Sequence, residues 1–477
     1  MHARPAAREG RARVSDSESG VNASPSPRRT RGRKVLAALG GLVAAVLAAE
    51  VGLRLFFPFH MSIVGHTEAP NAAVYGWALA PGERLMTRDP DTGEVFPAYA
   101  NRRGWRDRDR TFANATDAYR VLVLGDSVTF APAVRPEHTF TQLTEARLRE
   151  QGVRAEIINM AYAGWGTDQQ LEALRTEGLR YEPDLVIVQF STNDVQDIMN
   201  QSGLSAAKPF RYRLDDAGAL VRESVAPRTP SPAPGWKGAA LSLVKHSELL
   251  KRIYWVYFCA AVDGPIGAEG FVVNDDRLVH VRVALGLDED APLLESLRAH
   301  GAGPVAADRL AAILDRAGAG PAQRETVRRI LEDRWFQDYW SPEDYRPEPP
   351  DSDSERWRLY RALLRRIGRL AREHGARVAV LSANEQGQYA WERYWRRVAA
   401  TDRARANFLA PGRLVERIAR DLGCGVVESV RAYERARNDP HPNLAGNRAM
   451  ADSLHAYLAE HHAADLAAHR DAPPAAP

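Results

Sequence analysis

The sequence predicts an α/β protein built on a parallel sheet of five strands, with one membrane-spanning helix ahead of it. Three observations lead there. Five short β-branched or aliphatic runs alternate with stretches of helical periodicity. One uncharged apolar stretch near the N-terminus is long enough to cross a bilayer. Finally, 477 residues at 45% hydrophobic and 26% charged exclude a wholly disordered, collagen-like or disulfide-stapled chain.

Residues 1–34 are rich in Arg, Ser and Pro and show no apolar period, so they are expected to form a disordered tail. They carry a net charge of about +6, which leaves about −3 for the remainder of a chain at +3 overall. The body is therefore not a basic nucleic-acid binder. Residues 35–59 open with VLAALGGLVAAVLAA and give a window of about 25 residues, roughly 37 Å of helix. The flank RRTRGRK and the lack of a small-x-small cleavage pattern near Ala49 favour an uncleaved signal anchor over a removed signal peptide. By the positive-inside rule the tail is cytoplasmic. Everything after about residue 60 then lies outside the cytoplasmic (inner) membrane, in the periplasm or its equivalent, on a single-pass chain. Glu50 and Arg54 stand one turn apart near the exit and are expected to pair.

Residues 60–118 form a lead-in segment. The strand candidates follow: YRVLVL (119–124), AEIINM (155–160), DLVIVQF (184–190), ARVAVL (376–381) and CGVVES (424–429). Helical periodicity appears at 139–151, 168–180, 355–374 and 411–422. Some 185 residues separate the third and fourth strands, beyond any ordinary crossover, so residues 201–354 are read as a mostly helical insertion that forms a pocket wall or lid. The insertion opens with FRYRLDDAGALVRES, a hairpin around Asp216 to Gly218, and continues into helices at 291–300, 304–317 and 321–337. Residues 246–262 are apolar but too short to span and carry Lys251 and Arg252, so a packing helix is expected there. Residues 466–477 are a terminal tail.

Chemistry concentrates just beyond the strands. VLVLGDSVTF ends a buried strand in Gly-Asp-Ser, which places Ser127 either in the ligand crevice of an open α/β sheet or at a helix N-cap. NMAYAGWGTDQQ follows the second strand, where Gly164 can bring a backbone N–H close to a ligand. FSTND follows the third, with the Asn193 amide at the sheet edge, and NDPHPNLAGN follows the fifth, with Asp439 and His441. All four fall on one rim of the sheet.

These four blocks, in this order, resemble the SGNH or GDSL hydrolase superfamily over roughly residues 119–200 and 355–465. The likeness is greatest to membrane-anchored bacterial members, which have a similar YGW…PG run and an N-x-x-G-[FW]-R run, here Tyr75 to Gly82 and Asn101 to Arg106. The resemblance implies a flavodoxin-like three-layer α/β/α fold and a catalytic triad of Ser127 as nucleophile, His441 as general base and Asp439 as the group that orients it. It also implies an oxyanion hole from the N–H of Ser127, the N–H of Gly164 and the side chain of Asn193. Two positions depart from the family pattern. Ser191 stands where the third block usually has Gly, and the acid lies two residues before His441, with Asn438 at the commoner three-residue spacing.

The resemblance implies an esterase acting on an acylated small molecule, glycan or lipid, or an O-acyltransferase with the same residues. The rival from another class is a non-catalytic envelope-polysaccharide binding or assembly protein on the same fold. No cofactor or metal site is read, since Asp439, His441 and Asp194 lack a ligand spacing. No protein partner is legible. Asp126 and Asp194 are read as loop-bracing carboxylates, and His461 and His462 as solvated residues of a terminal helix. Trp335, Trp340, Trp357, Trp391 and Trp395 are open to two readings, a sugar-stacking platform or core packing. Cys259 and Cys424 permit at most one disulfide.

Overall fold

The computed structural model describes residues 27–56, 60–61, 71–89, 91–201, 207–226, 303–332, 352–382, 410–428 and 441–470, with short pieces between 243 and 301. The chain divides into two units, Met1–Phe57 and Pro58–Pro477.

The described part of the first unit is one helix, α1 (Pro27–Phe56), within which Lys34–Leu55 is long and apolar enough to cross a membrane. Its leucines and valines face outward, and Arg54 Nε donates to Glu50 Oε1 at 2.7 Å. The helix begins at Pro27, inside the stretch expected to be a tail. Proline suits a first helical turn because its φ is preset and its missing N–H would have had no partner there.

The second unit is organised by a five-stranded parallel sheet of β1 (Tyr119–Gly125), β2 (Ala155–Ala161), β3 (Leu185–Phe190), β4 (Arg377–Ser382) and β5 (Gly425–Val427). The strands lie in the order β2-β1-β3-β4-β5. This is the flavodoxin-like doubly wound order, whose direction reverses between β1 and β3. The helices are α2 (Ser127–Phe130), α3 (Phe140–Glu150), α4 (Thr167–Thr176), α5 (Asp194–Asp197), α6 (Glu355–Glu373), α7 (Ala410–Asp421) and α8 (Leu444–His461).

β1 and β3 are buried at every position, as expected of strands covered on both faces. On one face Leu122, Leu124, Val186 and Val188 pack with Leu171 and Leu174 of α4, Ile367 of α6 and Ile418 of α7. On the other, Val121, Val123 and Ile187 pack with Phe140 and Leu148 of α3 and Leu454 and Leu458 of α8. The three-layer α/β/α fold is therefore present.

The insertion opens with an antiparallel hairpin, Phe210–Leu214 against Leu220–Ser224, whose turn closes through Gly218 at φ +76°. The hairpin is pinned to α4, since Arg222 makes two bonds to the Glu172 carboxylate at 3.0 and 3.1 Å. Further on, Phe271–Val273 pairs with Gly303–Val305, which the sequence reading did not anticipate, and helices Pro292–Arg298, Ala307–Arg316 and Pro321–Glu332 gather on it around Leu294, Leu310, Ile313 and Ile330. These residues form a core of their own, separate from the two that flank the sheet.

One expectation is overturned. His462 is not solvated: it is 3% exposed, its Nδ1 lies 2.7 Å from Tyr119 Oη, and burial brings its pKa down to about 4. The strand that opens the sheet thus packs against the end of the chain, which periodicity alone does not reveal. His461 is exposed, and Trp357 is core, packed against Phe190 and Tyr360. Cys424 is a buried free thiol. Trp335, Trp340, Trp391, Trp395, Cys259 and most of 246–262 lie outside the described residues.

Candidate active site

The register of the sheet brings the ends of β1, β2 and β3 level, with Gly125 opposite Ala161 and Leu124 opposite Val188. Ser127, Gly164 and Asn193 each follow one of these ends within a few residues. They therefore share the rim at the switch point, where an open α/β sheet presents its ligand crevice.

Ser127 is the only residue from Ala118 to Ala131 that is not buried. Its turn has to pass very close to β3. A Cβ on Gly125 would stand 2.3 Å from Thr129 Oγ1 and 2.6 Å from Gln189 Oε1, so the first position of the Gly-Asp-Ser run tolerates no side chain. Asp126 caps α2, its Oδ1 accepting from Val128 N–H at 2.9 Å, which leaves Ser127 as the first helical residue and not the N-cap.

The far end of α2 is held by its carbonyls. Asn159 Nδ2 donates to Thr129 O at 2.9 Å, and the guanidinium of Arg106 donates to Phe130 O, Ala131 O and Val134 O at 2.7, 2.9 and 2.6 Å. Ala131 has φ +52°, a left-handed conformation unfavourable for alanine, and the Arg106 fork holds the chain through it. Arg106 is fully buried, and desolvation lowers its pKa to about 10.

Gly164 has φ +72° in the turn Tyr162 to Trp165, the left-handed geometry that favours glycine. Asn193 opens α5, and its Nδ2 donates to Asp197 Oδ2 at 2.7 Å.

Beneath Asn193 lies a group of buried carboxyls. Burial pushes Asp126 up, while the Val128 N–H, the Ser191 hydroxyl, the His441 imidazole and the Asn193 amide pull it back. Asp194 stands well above the usual range, through burial and then the neighbouring Asp126 charge. Asp197 is pushed up to about 7 by burial, against the Asn193 amide and the Lys208 charge. Lys208, at the start of the insertion, donates to Asp168 Oδ2 and to Asp197 O, both at 2.7 Å, and its pair with Asp168 is dry on both sides. Both carboxylates read as braces act as braces, since Asp194 Oδ2 accepts from Ser191 N–H at 3.2 Å.

Ser191, the departure from the family glycine, is fully buried, and its Oγ accepts from Gln189 Nε2 at 2.8 Å. The hydroxyl thus joins the third block to β3 instead of distorting it.

His441, in the loop before α8, is half-buried, and its charge acts on the Asp126 carboxyl. That loop is tied down by Asn447, whose Nδ2 donates to Pro442 O at 3.1 Å and whose Oδ1 accepts from Phe140 N–H at 3.0 Å. Asp439 and Asn438 lie outside the described residues.

Residues 123–254 match the family described as GDSL-like lipase/acylhydrolase. Over that stretch the chain is similar to the SGNH/GDSL hydrolase superfamily. That family is one of ester-bond hydrolases, and the matched stretch carries the Ser127, Gly164 and Asn193 blocks. Solved structures similar to this chain include TesA, at 12% identity over 71% of this chain and 97% of that one with a TM-score of 0.29. Another is the acetyl xylan esterase AlAXEase, at 12% identity over 71% and 99% with a TM-score of 0.30. A G-D-S-L family lipolytic protein from Desulfitobacterium hafniense DCB-2 is 8% identical over 71% and 98%, with a TM-score of 0.26. A search of curated proteins finds no match.

The sequence reading passed over Trp77, Arg106, Gln189, Lys208 and Asn447. Trp77 and Arg106 sit inside the quoted lead-in runs, and Gln189 was visible as a polar residue in an otherwise apolar strand. Asn447 closes the quoted NDPHPNLAGN block, and Lys208 carried no local signal.

Proposed function

We propose that the chain is a membrane-anchored serine esterase that works outside the cytoplasm through a covalent acyl-enzyme. The observation that carries this reading is the partial exposure of Ser127 alone in a buried run, at the switch point of the sheet and next to Asp126, the carboxyl on which the His441 charge acts.

In this reading His441 accepts the Ser127 proton as Oγ attacks the ester carbonyl, and returns it to the departing alcohol. Asp439 holds the imidazole in the required tautomer. The oxyanion is met by the Ser127 N–H, the Gly164 N–H and the Asn193 amide, donors set in place before the charge develops. Water then cleaves the acyl-enzyme by the same route. The substrate is an acyl ester, and an O-acylated glycan or lipid suits the location. Residues 35–59 serve as the anchor, with the basic tail inside.

Ser127→Ala is expected to abolish both turnover of an activated aryl acetate and labelling by a serine-reactive phosphonate, with the circular dichroism unchanged. Undiminished turnover in the folded variant overturns the mechanism. For topology, a reporter fused after residue 477 is expected to work only if it is of the kind active in the exterior compartment; activity of a cytoplasm-dependent reporter reverses the orientation.

A further inference from the structure

The run Tyr75 to Trp77 packs against the turn that carries Gly164. This turn, Tyr162 to Trp165, closes with Trp165 N–H on Tyr162 O at 3.3 Å, and its third residue is Gly164 at φ +72°. Positive φ at the third position marks a type II turn, which differs from type I mainly by a flip of the central peptide. Here that peptide joins Ala163 to Gly164.

Glycine permits the type II form without imposing it, because it visits negative φ just as readily. Something else has to select the orientation. The Ala163 carbonyl accepts from Trp77 Nε1 at 2.9 Å, from an indole that is wholly buried. In a trans peptide the C=O and N–H point in opposite directions within one plane. A donor that grips Ala163 O therefore fixes where Gly164 N–H points, and it also polarises that N–H.

We propose that Trp77 is a positioning residue for the oxyanion hole: its indole N–H holds the Ala163–Gly164 peptide in the orientation that presents Gly164 N–H to the substrate oxyanion. The inference rests on the reading of Gly164 as an oxyanion donor given under Proposed function.

The surroundings of Trp77 are built to keep it there. Trp165 Nε1 donates back to Trp77 O at 3.1 Å, and Gln169 Nε2 donates to Tyr75 O at 2.7 Å, so the two segments are tied at three points. Gly76 between them has φ +95°, and a Cβ there would come within 3.1 Å of Ala207 O and Lys208 Cα. The Tyr-Gly-Trp run is thus wedged between the oxyanion turn and the start of the insertion.

The test compares kcat and KM on an aryl ester for Trp77→Phe, Gly164→Ala, the double variant, Asn193→Ala and Trp105→Phe. Trp77→Phe keeps a buried ring and removes the N–H. Its kcat is expected to fall about 10- to 100-fold with KM nearly unchanged, the mark of an interaction made only in the transition state. The preference for an oxygen ester over the matching thionoester should fall with it, because sulfur accepts hydrogen bonds poorly and loses less when the hole loosens. The double variant is expected to be no slower than Gly164→Ala alone, since both act through one peptide. Trp105→Phe removes an N–H that goes to Glu177 Oε1 at 2.9 Å in the same aromatic core, and is expected to lower Tm while keeping kcat and the thionoester ratio. Should Trp77→Phe not fold, β-(3-benzothienyl)alanine at position 77, isosteric with sulfur in place of N–H, carries the same expectation. An unchanged kcat and ratio in a folded Trp77 variant, while Gly164→Ala and Asn193→Ala both collapse kcat, overturns the inference. Fully additive effects of the Trp77 and Gly164 changes overturn it too. If Gly164→Ala and Asn193→Ala also leave kcat intact, the oxyanion reading itself is what has failed.

Discussion

The two sides of the rim that carries Ser127, Gly164 and Asn193 are held in place by different chemistry. On the Ser127 and Gly164 side, beyond the Asp126 cap of α2, side-chain donors hold backbone carbonyls: Asn159 on Thr129 O, Arg106 on three carbonyls beyond it, and Trp77 on Ala163 O. None of these donors titrates near neutral pH, since even Arg106 loses its proton only at about 10. On the Asn193 side the amide rests on Asp197, which titrates at about 7, among Asp126, Asp168 and Asp194. The first side is a fixed scaffold, while the second changes its protonation within the working range of an enzyme.

The sharpest way to break this contrast is Arg106→Met. The variant keeps the volume but strands the Phe130 and Val134 carbonyls and leaves Ala131 O only a 3.4 Å bond from Val134 N–H, so a loss of about 3–5 kcal/mol is expected, each stranded acceptor costing roughly 1–3 kcal/mol before relaxation. Chemical denaturation measures it. A loss under about 1 kcal/mol would mean that water or another donor takes over, and that the scaffold is not anchored there.

Asn193→Ala tests the other side by rate. Removal of this proposed oxyanion donor is expected to lower kcat by about 10²- to 10³-fold with little change in KM. A rise in KM at constant kcat would make Asn193 a ground-state substrate contact instead.

Asp197→Asn gives the smallest effect and the one most particular to this comparison. The carboxyl is pushed up to about 7 in the folded protein, against about 3.9 for a free aspartate. Between those values the folded state keeps a proton that the unfolded state has lost. The stability this contributes is full below about pH 4 and disappears as pH rises through 7. The amide variant lacks that loss, so its Tm relative to the native chain is expected to rise by roughly a few degrees between pH 5 and pH 8. A pH-independent difference would place Asp197 on the non-titrating side with the rest.

Much of this molecule was readable in the chain itself. All five strands lie where buried aliphatic runs predicted them, because a strand covered on both faces needs an unbroken apolar run and little else has one. The long gap before β4 announced an insertion, and the Gly-Asp-Ser run marked the end of β1. The burial of His462 was not readable, nor was the pair it makes with Tyr119, 343 residues away in the chain. A histidine on a polar terminal helix has no local feature that separates a solvated one from a buried one.

The sequence by itself determined the local matters: where strands and helices run, that one helix is apolar enough to span a membrane, and which short blocks carry Ser127, Gly164, Asn193 and His441. Only the tertiary structure decided the strand order that brings the Ser127, Gly164 and Asn193 blocks to the β1/β3 switch point, that Asp126 and not Ser127 caps α2, and that Ser191 is absorbed into β3 through Gln189. It alone set Trp77 on Ala163 and Lys208 on Asp168, across 86 and 40 residues of chain. The physical reason is one of range. Periodicity and turn chemistry act over a few residues and are written in order, whereas a buried polar group takes whichever partner the folded chain brings within about 3 Å, and that partner is chosen by topology.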